Sequence, residues 1–326
     1  MGGSAGAVEA LVQVMAGLPD DLPYAVVVAV HMPAEAGSTL ARILDRSGPL
    51  PASRAQSGDV LLPARIYVAV PDHHLIVDGP RLVLSHGPTE NGNRPALNAL
   101  FRSVALSFGA RAVGVLFSGV LDDGVLGLTA IRARGGTTVA QEPEDALFST
   151  MPSHALKAGV VDHCVRAADI GPLLAELTQR RFVMTSGEPD ARMQLENRIA
   201  LGSRSIEASQ ADTLGEHSGF VCPDCSGSLM DIEGSGFRCR VGHAWTDEAL
   251  VQARDVEVRG ALSIALRSLE EKSTLCRKLA GAVTPGALFN RYTDMAQEAE
   301  RAGAVLSEQF LGGGEDDAEG AARSRY

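Results

Sequence analysis

The chain has few aromatic residues and no long hydrophobic run. Aromatic residues make up 4% of its 326 residues and apolar residues 45%, so Ala, Val and Leu must supply most of any core. No apolar run approaches the ~18 residues of a membrane-spanning helix, and no signal peptide is visible. These absences argue against membrane insertion and predict a cytoplasmic protein.

The chain also lacks an excess of basic residues. It carries 29 Lys and Arg against 40 Asp and Glu, a net charge of -11, which argues against nucleic-acid binding because that function needs clustered positive charge. Residues 1–182 carry 14 basic and 17 acidic residues, and the remainder carries 15 and 23. The length predicts at least two domains, with the acidic excess in the second part.

Three segments in the first half pair a glycine turn or an apolar strand with reactive side chains. Residues 2–6 read Gly-Gly-Ser-Ala-Gly, which matches the G-x-S-x-G serine elbow between a strand and a helix. His31 follows the apolar run 24–30, and the loop 118–124, with two aspartates, follows the apolar run 112–117. Ligand sites in open α/β sheets lie at the carboxyl ends of strands, so a Ser-His-Asp triad is predicted there.

Each segment also has a simpler interpretation. A start rich in Gly, Ala and Ser is also typical of an unstructured terminus or a phosphate-binding turn, and a lone His31 could simply cap a strand. The chain order Ser, His, Asp disfavours an ordinary α/β-hydrolase, in which the acid precedes the histidine.

The first 180 residues or so resemble the catalytic domain of bacterial chemotaxis protein-glutamate methylesterases. The motifs that carry the resemblance occur in the order found in that family: the serine elbow, His31-Met32-Pro33, Tyr67-Val68-Ala69, Asp72-His73-His74-Leu75, Asn93-Arg94-Pro95, Asp123-Gly124, Ala140-Gln141-Glu142, Met151-Pro152 and Ala158-Gly159. The resemblance implies a doubly wound, mostly parallel α/β sheet. It also implies hydrolysis of glutamate methyl esters on a receptor, with release of methanol, and deamidation of receptor glutamines.

The resemblance assigns a role to each triad residue. Ser4 corresponds to the nucleophile, His31 to the base and Asp123 to the acid, which makes Asp122 a neighbour. A neutral imidazole with a pKa near ~6.5 suits proton transfer at neutral pH.

The resemblance also identifies the backbone N–H groups of Ala5 and Val120 as the oxyanion hole. Val120 replaces a methionine of the family, but a backbone donor survives that change. Leu121 replaces a glycine, which puts the conformation of this loop in question.

Two further departures from the family concern the amino-terminal region. Ser4 follows only Met1, Gly2 and Gly3, whereas the family has a hydrophobic strand there. We expect a start of the chain upstream; the alternative is a form without that strand, which would be inactive. Family members in chemotaxis usually carry a receiver domain ahead of the esterase, and none is visible here, so control is expected to come from elsewhere.

A linker with a short helix is predicted over residues 183–218, after a catalytic domain over residues 1–182. A zinc-ribbon-like module follows at 219–246, in which Cys222, Cys225, Cys239 and His243 have the spacing of a closed, structural Cys₃His zinc site. The alternative is a metal-free β-hairpin with buried thiols. Three aromatic residues are expected to form the small core of the module: Phe220, Phe237 and Trp245.

Two helices are predicted to form an antiparallel hairpin over residues 247–312, followed by a disordered acidic tail at 313–326. We expect the apolar faces of these helices to pack on each other. The C-terminal half is a candidate site for a regulatory partner.

Two further side chains lie in the first half. Cys164 is predicted to be buried, and Arg94 is either near the site by family position or a surface arginine.

Three functions are compatible with these patterns. The first is a serine esterase that acts on methylated glutamates of receptor proteins. The second is a catalytically impaired scaffold, suggested by the short start and by the Val120-Leu121 pair. The third is a serine hydrolase of another ester or amide.

Overall fold

The computed structural model describes residues 1–34, 39–179, 190–202, 215–234 and 236–311. The predicted tail at 313–326 lies outside the described residues, as does most of the predicted linker on either side of its helix. The chain divides into two compact units, Met1–Leu250 and Val251–Tyr326.

A seven-stranded parallel sheet forms the centre of the first unit. Its strands are β1 (Gly2–Gly3), β2 (Ala25–Val30), β3 (Ala52–Arg54), β4 (Arg65–Val68), β7 (Val113–Leu116), β8 (Thr137–Gln141) and β9 (His163–Val165). They lie in the order β3-β4-β2-β1-β7-β8-β9. A separate antiparallel hairpin is formed by β5 (His74–Asp78) and β6 (Arg81–Ser85).

Helices cover both faces of the sheet. They are α1 (Ala7–Ala16), α2 (Leu40–Asp45), α3 (Leu97–Phe108), α4 (Val125–Ala133), α5 (Thr150–Lys157), α6 (Ala167–Leu177) and α7 (Ala191–Ala200). Alternate residues of β2 enter different cores: Val26 and Val28 pack with α1, α2 and α6, whereas Val27 and Ala29 pack with α3, α4 and α5. A strand buried on both faces needs a continuous apolar sequence, which explains the valine run.

The central strand β1 is only two residues long, yet it pairs with both neighbours. Gly2 lies opposite Ala29 of β2 and Leu116 of β7. The serine elbow is therefore attached to the sheet through Gly2 and Gly3. An apolar cavity of about 420 Å³ lies at the amino ends of these strands, lined by residues such as Met1, Ala25 and Val113. This cavity therefore lies at the opposite edge of the sheet from Ser4, His31 and Asp123, which follow the carboxyl ends of the strands.

The predicted ribbon module is a four-stranded antiparallel sheet within the first unit. Its strands are β10 (Glu216–Val221), β11 (Ser228–Ile232), β12 (Gly236–Cys239) and β13 (Ala244–Trp245). Phe237 and Trp245 are buried as expected, whereas Phe220 is 50% exposed and packs edge-on against Phe237.

Two helices follow, α8 (Asp247–Gly281) and α9 (Ala287–Leu311). Arg277 of α8 forms two hydrogen bonds to Glu300 of α9, both 2.7 Å long, and Ser273 donates a third to the same carboxylate. Gly303 also faces Leu269. Residues later in α9 thus face residues earlier in α8, which is the antiparallel hairpin predicted. No helix in the described residues is long and apolar enough to cross a bilayer.

The expectation that Cys164 is buried was wrong. Its side chain is exposed, and the strand that carries it, β9, lies at the edge of the sheet.

Candidate active site and metal cluster

Ser4 lies in the turn between β1 and α1. Its backbone N–H donates to the carbonyl of Ser118 at 2.9 Å, and its own carbonyl accepts from Ala7 at 3.1 Å. Gly6 has a φ of 75°, and a Cβ there would lie 2.6 Å from Ser118 Oγ, so the turn needs glycine at this position. The serine therefore stands at the carboxyl end of β1 and at the amino end of a helix.

His31 follows β2 at the same edge of the sheet. Its backbone N–H donates to the carbonyl of Gly3 at 3.1 Å, which keeps it beside the elbow. Its Nε2 lies 2.6 Å from Oδ2 of Asp123, and the two side chains are 12% and 2% exposed. This bond leaves Nδ1 as the ring nitrogen that remains for a substrate or for Ser4. Within residues 1–34 and 39–179, no hydrogen bond joins Ser4 Oγ to His31.

Asp123 is held by the amino end of α3. The backbone N–H groups of Leu97 and Asn98 donate to its two carboxylate oxygens at 2.8 and 3.1 Å. A helix amino terminus offers unpaired N–H groups and a favourable dipole to a carboxylate, so this buried charge is satisfied. Asp122, the adjacent carboxylate, turns away from His31 and accepts a hydrogen bond from Thr246.

The expected oxyanion donors are both available. In the described part of the chain, neither the N–H of Ala5 nor that of Val120 donates to a backbone or side-chain acceptor. Leu121 adopts a φ of 64°, a left-handed conformation that favours glycine.

Ser118 is a buried residue whose role the sequence motifs did not reveal. Its hydroxyl donates to the carbonyl of Ala5 at 2.7 Å and accepts from the N–H of Phe148 at 2.9 Å, while its own N–H donates to Gln141 Oε1. It thereby links the serine elbow to the loop that carries Val120. The one sequence feature that could have indicated this role is its position directly after an apolar run.

A pocket of about 400 Å³ opens beside His31. It is lined by His31, Met32, Pro33, Ala34, Asp72, Thr89, Gly92, Asn93 and Arg94. Arg94 lies at this pocket, as its family position suggested, and donates through Nε and Nη2 to Asp72 Oδ1 at 2.9 and 2.6 Å. The hydrogen bond from the Arg94 guanidinium lowers the pKa of Asp72.

The four predicted metal ligands converge in the ribbon module. The ligand atoms of Cys222, Cys225, Cys239 and His243 all lie within 4.8 Å of one another. Cys225 Sγ is 3.6 Å from Cys239 Sγ, and His243 Nδ1 is 3.3 Å from Cys239 Sγ and 3.7 Å from Cys222 Sγ. Zinc–sulfur bonds of about 2.3 Å in a tetrahedron separate two sulfurs by about 3.8 Å, so the donor set fits a zinc ion.

Tight turns present these ligands. The N–H of Ser226 donates to the carbonyl of Cys222 at 2.8 Å, and the N–H of Gly242 donates to that of Cys239 at 2.9 Å. Ser226 and Gly242 have φ values of 57° and 109°. Each turn thus brings together two ligands that lie three or four residues apart.

The sequence and structure of the first half match known proteins. A family model described as CheB methylesterase matches residues 1–174. Protein-glutamate methylesterase/protein-glutamine glutaminase 4 of Geobacter metallireducens is 36% identical over 183 residues, which are 56% of this chain and 53% of that protein. A protein of the same description, numbered 3, from Anaeromyxobacter dehalogenans is 40% identical over 174 residues, or 53% of this chain and 51% of that protein.

The chain spans about half the length of the curated relatives it matches. The crystal structure of the Thermotoga maritima CheB methylesterase catalytic domain aligns with a TM-score of 0.53 and 28% identity, and the match covers 54% of this chain and 95% of that chain. The doubly wound, parallel α/β fold predicted from the sequence is therefore confirmed.

Asp122 provides a pH-dependent contribution to stability that can be measured. Burial raises its pKa to about 6, against the opposing hydrogen bond from Thr246, and the charge of Asp123 acts in the same direction as burial. The folded chain therefore binds this proton more tightly than the unfolded chain, and the resulting stabilisation is lost as pH rises from about 4 through about 6.

We predict that Asp122→Asn raises the free energy of unfolding at pH 8 by on the order of 1–3 kcal/mol and changes it little at about pH 4. The amide oxygen can still accept from Thr246, so the variant removes the charge and keeps the bond. Urea unfolding at both pH values measures the difference, with Asp20→Asn, an exposed carboxylate, as the control. An equal effect at both pH values would contradict the prediction.

Proposed function

Because the chain belongs to the CheB methylesterase family, we propose that it hydrolyses glutamate 5-O-methyl esters on a chemoreceptor-type protein and releases methanol. The observation that carries the proposal is the 2.6 Å hydrogen bond between His31 and Asp123 at the edge of the sheet where the Ser4 elbow also lies. The printed names of the relatives add glutamine deamidation, which the same residues can perform with ammonia as the leaving group.

The proposed reaction has two halves. Ser4 Oγ attacks the ester carbonyl while Nδ1 of His31 takes its proton, and the imidazolium then protonates the departing methoxide to give methanol. Water, deprotonated by the same imidazole, next attacks the glutamyl-serine ester; the imidazolium returns this proton to the departing Ser4 Oγ, and the glutamate is released. Asp123 fixes the tautomer of His31 and stabilises the imidazolium.

The N–H groups of Ala5 and Val120 are the proposed oxyanion donors, because both are unpaired among the described residues. Each such donor is worth about 10²–10³ in turnover. The pocket beside His31 is the proposed site for the glutamyl side chain.

One observation favours the scaffold as a second candidate. Leu121 holds a left-handed conformation where the family has glycine, and it follows directly after the proposed donor Val120. A scaffold would release no methanol from methylated receptor membranes and would not hydrolyse a small activated ester. A hydrolase of another ester would act on p-nitrophenyl acetate but release no methanol from the receptor.

We also propose that the Cys₃His cluster binds one structural Zn²⁺, held by Cys222, Cys225, Cys239 and His243. All four positions of the tetrahedron are filled by protein, so the ion would supply stability and no catalytic step. Reduced thiols are typical of the cytoplasm, which supports a cytoplasmic location.

We predict that Ser4→Ala and His31→Ala each lower methanol release from methylated receptor membranes at least about a thousand-fold, because the members of a triad act as a unit. Gas chromatography of released methanol measures the rate. Ser47→Ala, which changes an exposed hydroxyl bonded to the Ile43 carbonyl, serves as the control with wild-type activity. Retention of wild-type methanol release by Ser4→Ala would refute the assignment.

We predict one zinc per chain by elemental analysis of the purified protein. Cys225→Ser should reduce the zinc content severalfold because one of four ligands is lost, whereas Cys164→Ser, an exposed cysteine outside the cluster, should leave it unchanged. Intact protein without zinc, even after incubation with the ion, would refute the metal site.

A further inference from the structure

The ribbon module contacts the loop that lines the pocket beside His31. We call residues 89–93 the pocket loop. The N–H of Asn91 donates to the carbonyl of Ala244 at 2.7 Å, and the N–H of Ala244 donates to the carbonyl of Thr89 at 3.1 Å. The pocket loop thus forms a parallel bridge with β13, at Glu90 and Ala244.

Side chains strengthen this attachment. The N–H of Thr246 donates to Oδ1 of Asn91 at 2.8 Å, and Asn91 is 9% exposed with a φ of 53°. A Cβ at Gly92 would lie 3.3 Å from the indole ring of Trp245, so the indole packs against this glycine. The loop closes its own turn through backbone hydrogen bonds between Glu90 and Asn93, at 2.9 and 3.3 Å, and the module holds this turn from outside.

The other side of the pocket loop is anchored in the catalytic half. Glu90 is buried and forms an ion pair with Arg102 of α3. Burial alone would raise the pKa of Glu90, but the charges of Arg102 and of Arg238 in β12 lower it to about 2. The loop thus lies between α3 and the module, and Thr89, Gly92 and Asn93 within it line the pocket.

Two of the predicted metal ligands, Cys239 and His243, lie just before the strand that makes these contacts. Cys239 ends β12 and His243 immediately precedes Ala244, and the turn between them is closed by two backbone hydrogen bonds. A metal that binds both residues fixes the start of β13 and hence the position of Ala244. Structural zinc sites of this kind order their surrounding backbone when the ion binds.

The module also reaches the second loop of the site. Thr246 Oγ1 donates to Asp122 Oδ1 at 2.8 Å, one residue from the carboxylate that binds His31. Glu248, in the first turn of α8 directly after the module, lies 3.1 Å from Nδ1 of His154, and the same nitrogen lies 3.0 Å from the carbonyl of Leu121. Both contacts end next to residues of the predicted triad and oxyanion hole.

We propose that Asn91 and the metal-bound turn 239–243 are positioning elements for the substrate pocket, so that metal binding in the module orders the pocket loop and tightens binding of the ester substrate. This inference rests on the proposed esterase function for its kinetic part. The atoms that touch the substrate are those of the pocket; the metal acts through Ala244 and Asn91.

The test uses the full chain, with Zn²⁺ removed by a chelator and then restored. We expect metal removal, and equally His243→Ala, to raise amide hydrogen exchange in peptides covering 89–93 by about tenfold, with little change in β2 and β7. We expect the KM for the methyl ester to rise about fivefold, the factor for one lost hydrogen bond, with kcat within about twofold. Re-addition of Zn²⁺ should restore both values in the wild type.

Asn91→Gly distinguishes the effect of the loop contact from the effect of the metal. Glycine accepts the same φ and removes the acceptor of the Thr246 bond, so this variant should keep its zinc and show the same fivefold rise in KM. Cys164→Ser should match the wild type in every measurement.

Three results would overturn the proposal: unchanged exchange at 89–93 after metal loss, an equal rise in exchange throughout β2 and β7, or a wild-type KM for Asn91→Gly. The exchange measurement needs no activity, so it decides the metal-to-loop coupling even if the wild type proves inactive on the ester. Inactive wild type would instead refute the proposed function and, with it, the kinetic part of this inference.

Discussion

The carboxylate of Asp123 is the point on which the candidate site depends. It accepts the His31 ring through Oδ2 and the first backbone N–H groups of α3 through both oxygens. A buried carboxylate is stable only when its oxygens have donors, so the histidine and the helix terminus must both lie within hydrogen-bond distance of it. This requirement fixes where α3 begins relative to the carboxyl ends of β2 and β7, and it explains why a residue from the loop after β7 can orient a residue from the end of β2.

The same edge of the sheet was predictable from the sequence, but the partners of its residues were not. Continuous apolar runs revealed the buried strands; His31 follows one such run directly, and Asp123 lies in the loop that follows another. Ser118 also follows an apolar run directly, yet its hydrogen bonds to Ala5 and Phe148 join it to residues at least 30 positions away. No local sequence pattern reveals such bonds. Cys164 was misjudged for a related reason, because the burial of a strand residue depends on which distant elements pack over its face of the sheet.

The ribbon module illustrates the difference between a local and a long-range signal. Its four candidate metal ligands were predicted from spacing alone, since each pair lies within a tight turn, and the structure brings them together. Its attachment to the pocket loop was not found, because Asn91 and Thr246 are separated by 155 residues and each is an ordinary polar residue in sequence. The module thus combines a motif that is local in sequence with contacts that form only when the chain folds. Those contacts join it to the two loops that form the candidate site.

The candidate site requires Ser4 to be an activated nucleophile beside the His31–Asp123 pair. Reaction of the purified full chain with a fluorophosphonate, followed by digestion and mass spectrometry, identifies the serine that such a site activates. We expect a single phosphonylated peptide that contains Ser4, and loss of this adduct in His31→Ala. An adduct on a different serine, or wild-type protein that remains unmodified, would contradict it.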